Sequence, residues 1–341
     1  MSAAELAGRL LDHLRAELGE PALDYAEPPT PISGGFDTQI FAFRLKGAPA
    51  AFAPPLILRL LGPRHDARRA LRERAVQNAV AGLGYPAPRV LSASIDAARL
   101  GGGFLIMERL AGRPMLDVRP FNIAGVLVEA QLRLHALDAE VLLDAVEREP
   151  RDMITFGALL ADLGRRVAGR PLEGLQRAME WLLAHRPPEP ARRAICHGDF
   201  HPQNILMAGG NVTGVLDWPN AVVADPAYDV AATRTILSLT PVELFAVPGP
   251  LRWLVRIARA ILVARYLAGY RRRRPVDRGT LAYYEAASCM RQLVRVAEAR
   301  QAAAGRAGAL NPLDASPFGE RLGARFAELT GVTPSLPAVR P

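Results

Sequence analysis

Residues 197–204 read His197-Gly198-Asp199-Phe200-His201-Pro202-Gln203-Asn204, and a second short stretch, residues 214–218, reads Gly-Val-Leu-Asp-Trp. Three oxygen-bearing side chains stand at fixed intervals in these stretches. Asn204 follows Asp199 by five residues, and Asp217 follows it by eighteen. Between Asn204 and Asp217 lie two apolar runs, residues 205–207 and 212–216, which predict a β-hairpin that returns Asp217 to the side of Asn204.

This set of side chains fits the requirements of phosphoryl transfer. That reaction needs a carboxylate to orient and deprotonate the attacking hydroxyl, and oxygen ligands for the Mg²⁺ ions on the phosphates. The five-residue interval from Asp to Asn is also that of the protein-kinase catalytic loop, in which the Asp is the base and the Asn binds metal. Any one of these aspartates alone is more simply explained as a turn or strand-end residue; the spaced set favours chemistry.

The H-G-D-x-H-x-x-N block, the L-D-W triplet and Asp225-Pro226-Ala227-Tyr228-Asp229 together resemble the aminoglycoside-phosphotransferase and choline-kinase superfamily. The resemblance implies an α+β, protein-kinase-like bilobal fold, ATP or GTP as co-substrate with Mg²⁺, and a hydroxylated small molecule as acceptor. It implies that Asp199 is the catalytic base, that Asn204 and Asp217 hold Mg²⁺, and that Asp229 supports the loop. His197 is expected to hydrogen-bond within the loop, and His201 is as readily structural as catalytic.

The front half of the chain supplies candidate nucleotide contacts in the family's order. Gly34 and Gly35 stand where the family has its phosphate-covering loop, although a Gly-Gly pair is also an ordinary hairpin turn. Arg59 stands where a kinase strand carries its phosphate-pairing Lys, with Glu73 as the expected ion-pair partner. Because a planar guanidinium and a compact ammonium contact phosphate differently, the substitution affects the geometry of that contact. The alternative is that the two residues are unrelated surface groups.

Residues 104–112 resemble the strand and hinge that join the two lobes in this superfamily. The resemblance implies that the adenine edge bonds backbone groups near Glu108 and Leu110, and that Met107 lines the pocket. His135, at the end of a predicted helix, is interpreted as structural.

The pattern of the chain changes near residue 110. Residues 1–110 are predicted to form an N-lobe with an opening helix, an antiparallel sheet and the nucleotide contacts. Residues 111–341 are predicted to form a helical C-lobe with the catalytic loop 197–204, the metal-binding Asp217 and acceptor-binding helices over 231–300. A Pro-rich turn is expected at 28–31, and the composition predicts only partial order after Pro312. In the helix over 68–81, the apolar face is expected to contain Leu71, Ala75, Val76 and Ala79.

Composition limits the other function classes. The formal charge is +8, and Lys46 is the only lysine among 42 basic residues. The arginines are spread along the chain without a zinc-finger or recognition-helix pattern, so nucleic-acid binding rests on net charge alone. The apolar stretch 251–270 carries four arginines and is not expected to span a bilayer. Two lone cysteines, Cys196 and Cys289, predict a reducing, cytoplasmic location.

Two questions stay open at this stage. A nucleotide-sensing or scaffold pseudokinase would keep the fold without the catalysis, and Arg59 is the residue that favours this alternative. The acceptor is also undetermined: acids are sparse after residue 231, and a polycationic aminoglycoside prefers a carboxylate-lined cleft. The basic balance therefore favours a neutral or anionic hydroxylated metabolite, a sugar or a macrolide-like compound over an aminoglycoside. Oligomeric state is not determined by the sequence.

Overall fold

The structure, a computed structural model, describes residues 2–32, 38–62, 66–146, 154–169, 172–190, 192–244, 247–304 and 310–337. The residues group into two units. Unit 1 comprises Met1–Val118, Glu140–Glu149 and Ile205–Pro219, and unit 2 comprises Arg119–Ala139, Pro150–Asn204 and Asn220–Pro341. The hairpin after the catalytic loop therefore groups with the front half of the chain. The predicted boundary near residue 110 stays a prediction.

Unit 1 is built on a five-stranded antiparallel sheet in the order β1-β2-β3-β5-β4. Its strands are β1 (Asp24–Pro31), β2 (Thr38–Lys46), β3 (Leu56–Leu61), β4 (Val90–Ser94) and β5 (Phe104–Glu108). Alternating apolar residues of these strands pack with Leu6, Leu10 and Leu14 of α1 (Ala3–Leu18) into one core cluster. The N-cap of α1 is Ser2, whose hydroxyl accepts a hydrogen bond from the Glu5 N–H.

The expected Pro-rich turn at residues 28–31 was wrong, because these residues belong to β1. Proline cannot donate a backbone hydrogen bond and is confined to edge strands or bulges. β1 is an edge strand, and its pairing with β2 is interrupted between Tyr25 and Thr30. Both conditions that allow proline in a sheet are met here.

The helix α2 (Arg69–Gly82) forms where the sequence predicted it, but the predicted buried face was wrong in part. Its buried residues are Ala70, Glu73, Val76, Gln77 and Val80. The helix is rotated so that a carboxylate, rather than Leu71 or Ala79, faces the interior. In this orientation, the side chain of Glu73 contacts Arg59 of β3.

Two shorter helices of unit 1 are α3 (Ala97–Leu100) and α4 (Met115–Val118), and α6 (Ala139–Ala145) begins at the boundary between the units. The predicted hairpin is confirmed. β8 (Ile205–Ala208) and β9 (Asn211–Val215) pair with each other and with the short β6 (Arg113–Pro114). Ile205, the residue after Asn204, lies opposite Val215, two residues before Asp217.

Unit 2 is mostly helical. Its helices are α5 (Ile123–His135), α7 (Phe156–Ala168), α8 (Gln176–Ala184), α9 (Pro226–Leu239), α10 (Arg252–Arg273) and α11 (Arg278–Ala304). One short antiparallel pair, β7 (Ala194–Cys196) with β10 (Val222–Ala224), supports the catalytic loop that follows β7. Cys196 and Cys289 are both buried and unpaired. The predicted α+β fold class, with a sheet-rich and a helical part, is confirmed.

The expectation of partial order after Pro312 was wrong for residues 312–330, which form α12 (Pro312–Ala315) and α13 (Phe318–Thr330). Phe318, Leu322 and Phe326 recur at helical spacing and are buried, and α13 packs against α11. The prediction relied on the Pro, Gly and Ala content of this segment and overlooked its amphipathic pattern. Among the described residues, no helix has both the length and the apolar character needed to cross a bilayer.

The buried side chain of Phe326 provides a test of the C-terminal helix. It is fully buried, and its ring lies edge-on to Trp181 at 6.2 Å. We expect Phe326→Ala to lower the free energy of unfolding by about 3–5 kcal/mol, because it leaves a cavity in the core. Chemical denaturation of the full chain measures this change. Phe121→Ala is the control, since Phe121 is fully exposed and its loss should cost less than about 0.5 kcal/mol. Equal stability of the two variants would contradict the packing of α13.

Candidate active site

The peptide of Gly198 is held on both sides in unit 2. Its N–H donates to Oδ1 of Asp229 over 2.7 Å, and its carbonyl accepts from Nη2 of Arg291. Gly198 has a φ of 74°, and a Cβ at this position would lie 2.5 Å from the carbonyl oxygen of Asn220. Only glycine satisfies both conditions. The backbone that leads into Asp199 is therefore fixed by two charged side chains from different helices.

The backbone after Gly198 is held as firmly. The carbonyl of Asp199 accepts from Nδ2 of Asn204 over 3.0 Å, and that of Phe200 accepts from the Thr233 hydroxyl over 2.9 Å. The N–H of Asp199 donates to Nδ1 of His197 over 3.2 Å, which confirms the expectation that His197 bonds within the loop. With its backbone anchored at successive positions, the side chain of Asp199 has a defined place.

The side chain of Asn204 is oriented by its amide nitrogen. Nδ2 donates to the Asp199 carbonyl and lies 3.2 Å from Nε2 of His201. Within the described part of the chain, Oδ1 of Asn204 accepts no hydrogen bond, so this oxygen remains available to a cation. Nε2 of His201 also lies 3.7 Å from Oδ1 of Asp199. His201 thus contacts both polar residues of the loop.

Asp229, which supports the loop, is completely buried beside His135. Its Oδ2 lies 3.1 Å from Nε2 of His135, whose Nδ1 in turn lies 2.6 Å from the Tyr270 hydroxyl. Burial acts to raise the pKa of the Asp229 carboxyl. The hydrogen bond and charge of His135, the charge of His197 and the Gly198 N–H outweigh burial and hold that pKa below its usual value. The structural interpretation of His135 and the supporting position of Asp229 are confirmed.

Sequence reasoning missed three residues that complete this site: Arg291, Thr233 and Tyr270. Arg291 lies 93 positions from Gly198, and no local pattern connects them. The available signal was its setting, a cation within the largely apolar run from Cys289 to Val294. An arginine in such a place needs a buried acceptor.

In unit 1, Arg59 lies between two carboxylates. Its Nη1 contacts Oε1 of Glu73, and its Nη2 donates to Oδ1 of Asp217 over 2.8 Å. Arg59 extends from β3 in the middle of the sheet, Glu73 from the buried face of α2, and Asp217 follows β9. The alternative that Arg59 and Glu73 are unrelated surface residues is excluded by this contact. Arg69 and Arg72 on α2 also act on Glu73 through their charges, so Arg59 is not the only cation near this carboxylate.

Burial and charge act against each other in this cluster. Burial raises the pKa of the Glu73 carboxyl, the charge of Arg59 opposes it, and the nearby charge of Asp217 adds to the rise. For Arg59 burial favours the neutral form, but Glu73 and Asp217 outweigh it and hold the guanidinium pKa above its usual value. Arg59 therefore stays charged and holds both acids, because a guanidinium has two terminal nitrogens to offer.

Asp217 has an unusual backbone conformation. Its φ is 68°, in the left-handed region that Asp tolerates better than most non-glycine residues. The next residue, Trp218, is fully buried, donates from Nε1 to the Val215 carbonyl over 2.8 Å, and meets the Tyr85 ring edge-on at 5.9 Å. This anchor keeps Asp217 at the surface, where its side chain is 37% exposed.

The predicted hinge residues lie at the end of β5 in unit 1. Met107 is buried in the sheet opposite Ile57. The Glu108 N–H already donates to the Arg89 carbonyl over 3.0 Å, so it is not available to an adenine ring. Leu110 packs against Gly214 of β9. Gly34 and Gly35 lie outside the described residues, and the phosphate-covering loop stays a prediction.

The residues present fit a magnesium ion by the chemistry of their donors. Mg²⁺ takes oxygen ligands and is usually bound by one or two carboxylates together with substrate phosphates. Asp217 of unit 1 has a partly exposed carboxylate, and Asn204 of unit 2 has an amide oxygen, so each unit by itself offers a donor of the type that Mg²⁺ takes. Across the described ranges, no group of three or more His, Cys, Asp or Glu side chains could by itself hold a metal ion.

Residues 29–284 match the sequence profile of a family described as "Phosphotransferase enzyme family". One relative, an aminoglycoside 3'-phosphotransferase of Streptomyces fradiae, is 27% identical over 73% of this chain and 90% of its own length. Another, acyl-CoA dehydrogenase family member 11 of Pongo abelii, is 27% identical over 47% of this chain. The match spans 22% of that relative, so the chain covers about a fifth of the length of its first relatives.

Two solved structures share the fold. A putative aminoglycoside phosphotransferase from Ralstonia eutropha JMP134 is 19% identical, with a TM-score of 0.64 over 96% of this chain and 99% of its own. A thermostable aminoglycoside phosphotransferase APH(4)-Ia mutant, in a ternary complex with AMP-PNP and hygromycin B, has a TM-score of 0.56. That protein is 19% identical over 94% of this chain and 99% of its own. These structures support the fold class given above.

The buried Asp229 generates a prediction with a pH dependence. Asp229→Asn should lower the free energy of unfolding by about 1–3 kcal/mol at pH 7, because the amide cannot satisfy both Gly198 and His135 as the carboxylate does. Because the folded pKa is lowered, the contribution of Asp229 is fully present above the unfolded value near 3.9. It is lost as pH falls through the folded pKa, so the difference between the proteins should narrow below about pH 4.

Urea unfolding of both proteins from pH 7 to pH 3 measures this narrowing. Asp117→Asn serves as the control, since Asp117 is exposed and its replacement should change stability little at any pH. A difference that stays constant across the range would contradict the charged role of Asp229.

Proposed function

This chain belongs to the phosphotransferase enzyme family, and we propose that it transfers the γ-phosphoryl group of ATP (or GTP) to a hydroxyl group of a small molecule. The family resemblance of the catalytic block is confirmed by the match over residues 29–284. The observation that carries the proposal is the fixed peptide of Gly198, held by Asp229 and Arg291, directly before Asp199. Such anchoring is what positioning of a base requires.

In this proposal Asp199 is the general base. Its side chain is 21% exposed, so a hydroxyl can reach it, while its backbone is anchored on both sides. The carboxylate accepts the proton of the attacking hydroxyl as the bond to phosphorus forms. Nε2 of His201, 3.7 Å away, lies where it can orient that carboxylate.

Asn204 and Asp217 are proposed to hold Mg²⁺, Asn204 through Oδ1 and Asp217 through its carboxylate. When bound, the ion would neutralise charge on the phosphates of the nucleotide. The anchoring of Nδ2 turns the oxygen of Asn204 away from the loop, and the fixed Trp218 keeps Asp217 exposed. Both features support these assignments.

Arg59 is proposed to position Asp217 as well as to contribute charge near the phosphates. A lysine offers one nitrogen and cannot reproduce the two-ended contact with Glu73 and Asp217. This accounts physically for an arginine at a position where a kinase has lysine. For the adenine edge, the Leu110 N–H is the better candidate, because the Glu108 N–H is engaged.

The acceptor is proposed to be neutral or anionic. Residues 231–300 contain thirteen arginines and four acids. Glu243 contacts Arg256 and Arg321, Glu285 is held by Arg234 and Arg325, and Glu298 by Arg166. The fourth acid, Asp277, accepts from the Thr280 N–H at the start of α11. With each of these carboxylates engaged, a polycation finds little free negative charge in this region.

The relatives suggest which acceptors to test. One relative is an aminoglycoside 3'-phosphotransferase, and one fold relative was solved with hygromycin B. Others are acyl-CoA dehydrogenase family members. Because an acceptor must carry a hydroxyl, we add a hydroxyl-bearing acyl-CoA, an anionic compound, to the candidates. A panel of an aminoglycoside, a macrolide, a neutral sugar and a hydroxyacyl-CoA therefore separates cationic from neutral and anionic acceptors.

With an acceptor from this panel, we expect Asp199→Ala to reduce phosphoryl transfer by about 10²–10⁴-fold, because the general base is lost. Nucleotide affinity should stay near that of the wild type, since the base contacts the acceptor. Nucleotide consumption and calorimetric binding of an ATP analogue measure the two quantities. Asp117→Ala, on an exposed position, is the control. Normal turnover in Asp199→Ala would remove the assigned role.

We expect Asp217→Ala to weaken binding of Mg²⁺-ATP and to raise the Mg²⁺ concentration needed for half-maximal binding. Calorimetric titrations at several Mg²⁺ concentrations measure both changes. Arg59→Lys should give an intermediate shift, because it loosens Asp217 without removing it. An unchanged Mg²⁺ dependence in Asp217→Ala would refute its metal role, and an unchanged dependence in Arg59→Lys alone would refute only the positioning role.

A further inference from the structure

The first three turns of α10 in unit 2 expose a row of apolar side chains, while the inward face combines two arginines with the half-buried Val255 and Leu262. Arg252 and Arg259, on the face turned toward the rest of unit 2, are half-buried. On the opposite face, Trp253, Leu254, Ile257 and Ile261 are each about half exposed, at 56%, 46%, 50% and 48%. A surface helix of a globular protein normally places its apolar stripe inward. We call these four residues the α10 apolar face.

The inward arginines have protein partners that hold this orientation. Nε of Arg252 donates to the Val247 carbonyl over 3.4 Å, and Nη1 of Arg259 donates to the Thr240 carbonyl. Burial lowers the pKa of the Arg259 guanidinium, and the charges of Arg321 and Arg256 add to the effect. Further along, Tyr266 and Tyr270 are buried against α5 and fix the rotation of the helix. These contacts fix the rotation of α10, so the α10 apolar face is directed outward from unit 2.

Two further apolar side chains in the segment that precedes α10 are also exposed. Leu251, directly before the helix, is 48% exposed, and Leu244 is 37% exposed. Positions 253, 257 and 261 are spaced by four residues and so form one row along the helix. A contiguous exposed patch of this kind, with polar residues at its rim, marks an interaction site.

Charge selects the occupant of this face. α10 contains seven arginines and no acid. Beyond Ile261 the outward face continues with the exposed Arg265 and Arg272, and Arg256 lies at its edge. A second copy of the chain would bring the same cationic helix against this one, so like charges oppose self-association. A partner with an anionic surface and an apolar interior complements both the α10 apolar face and the arginines that follow it.

We propose that the α10 apolar face docks on the surface of an anionic lipid bilayer, with the apolar side chains inserted and Arg265 and Arg272 against the lipid phosphates. An exposed helix is convex, so it suits a deformable surface better than a second rigid convex face. Trp is favoured at the membrane interface because its ring is apolar and its N–H is polar. Peripheral docking of this kind needs no spanning helix.

Trp253 provides a direct measurement. Of the three tryptophans, Trp218 is fully buried and Trp181 is half-buried, so Trp253 is the exposed one. With vesicles of phosphatidylglycerol and phosphatidylcholine, we expect a blue shift of tryptophan emission and co-sedimentation of the full chain. Phosphatidylcholine vesicles alone should give neither. Trp253→Phe should abolish the shift but keep co-sedimentation, because a phenyl ring still inserts.

Matched variants separate docking from general charge. Arg265→Glu should weaken partitioning by about 30-fold, since two unit charges are changed near the surface, whereas Arg177→Glu on the exposed face of α8 should not. Ile257→Asp should abolish docking, whereas Leu183→Asp, 56% exposed on α8, should not. Equal effects within either pair would overturn the proposal.

Two further outcomes would also overturn it. Equal binding to neutral and anionic vesicles would remove the role of charge. Sedimentation velocity that shows a dimer in lipid-free buffer, lost in Ile257→Asp, would assign the face to a second copy. None of these readouts depends on phosphoryl transfer, so the result stands whatever the acceptor assay gives.

Discussion

The site in unit 2 depends on one buried carboxylate. Asp229 is removed from water, and a buried ionised group is tolerated only when charges and hydrogen bonds compensate for lost solvation. Here the compensation comes from His135 on α5 and from the Gly198 N–H that opens the catalytic loop. The need to satisfy Asp229 thus fixes the backbone directly before Asp199. Arg291 from α11 adds the opposite contact on the same peptide, so three helices determine the conformation of one glycine.

In unit 1, the guanidinium of Arg59 forms ion pairs with two carboxylates. Glu73 is buried and Asp217 is partly exposed. A buried ion pair contributes little net stability in general, because desolvation offsets attraction. The pair contributes orientation: the rigid fork of Arg59 fixes the direction of Asp217, whose carboxylate is 37% exposed. This combination suits a metal ligand better than a purely structural pair.

The parts of the fold that the sequence predicted correctly were those that depend on patterns of nearby residues. The apolar runs 205–207 and 212–216 predicted the β8–β9 hairpin, and the spacing of Asp199, Asn204 and Asp217 indicated the family, because both signals lie within about twenty consecutive residues. Arg291 was missed because its partner is 93 residues away. The prolines at 28–31 were misread because only the edge position of β1 makes them acceptable in a sheet. On α2, the periodicity of apolar residues predicted the helix, but the buried face is the one that carries Glu73 to its contact with Arg59.

The distribution of charge in unit 2 explains how a net excess of arginine coexists with a stable helical fold. Several arginines donate hydrogen bonds to specific acceptors. Arg325 donates two to Glu285, Arg166 donates two to Glu298, and Arg259 donates one to the Thr240 carbonyl. What remains for an external molecule is positive charge without free carboxylates nearby. The α10 apolar face lies within this field, and its arginines point both inward and outward from one helix. The excess of arginines over free carboxylates in this region disfavours a polycationic acceptor. The same excess favours docking on an anionic surface, although the two conclusions concern different ligands.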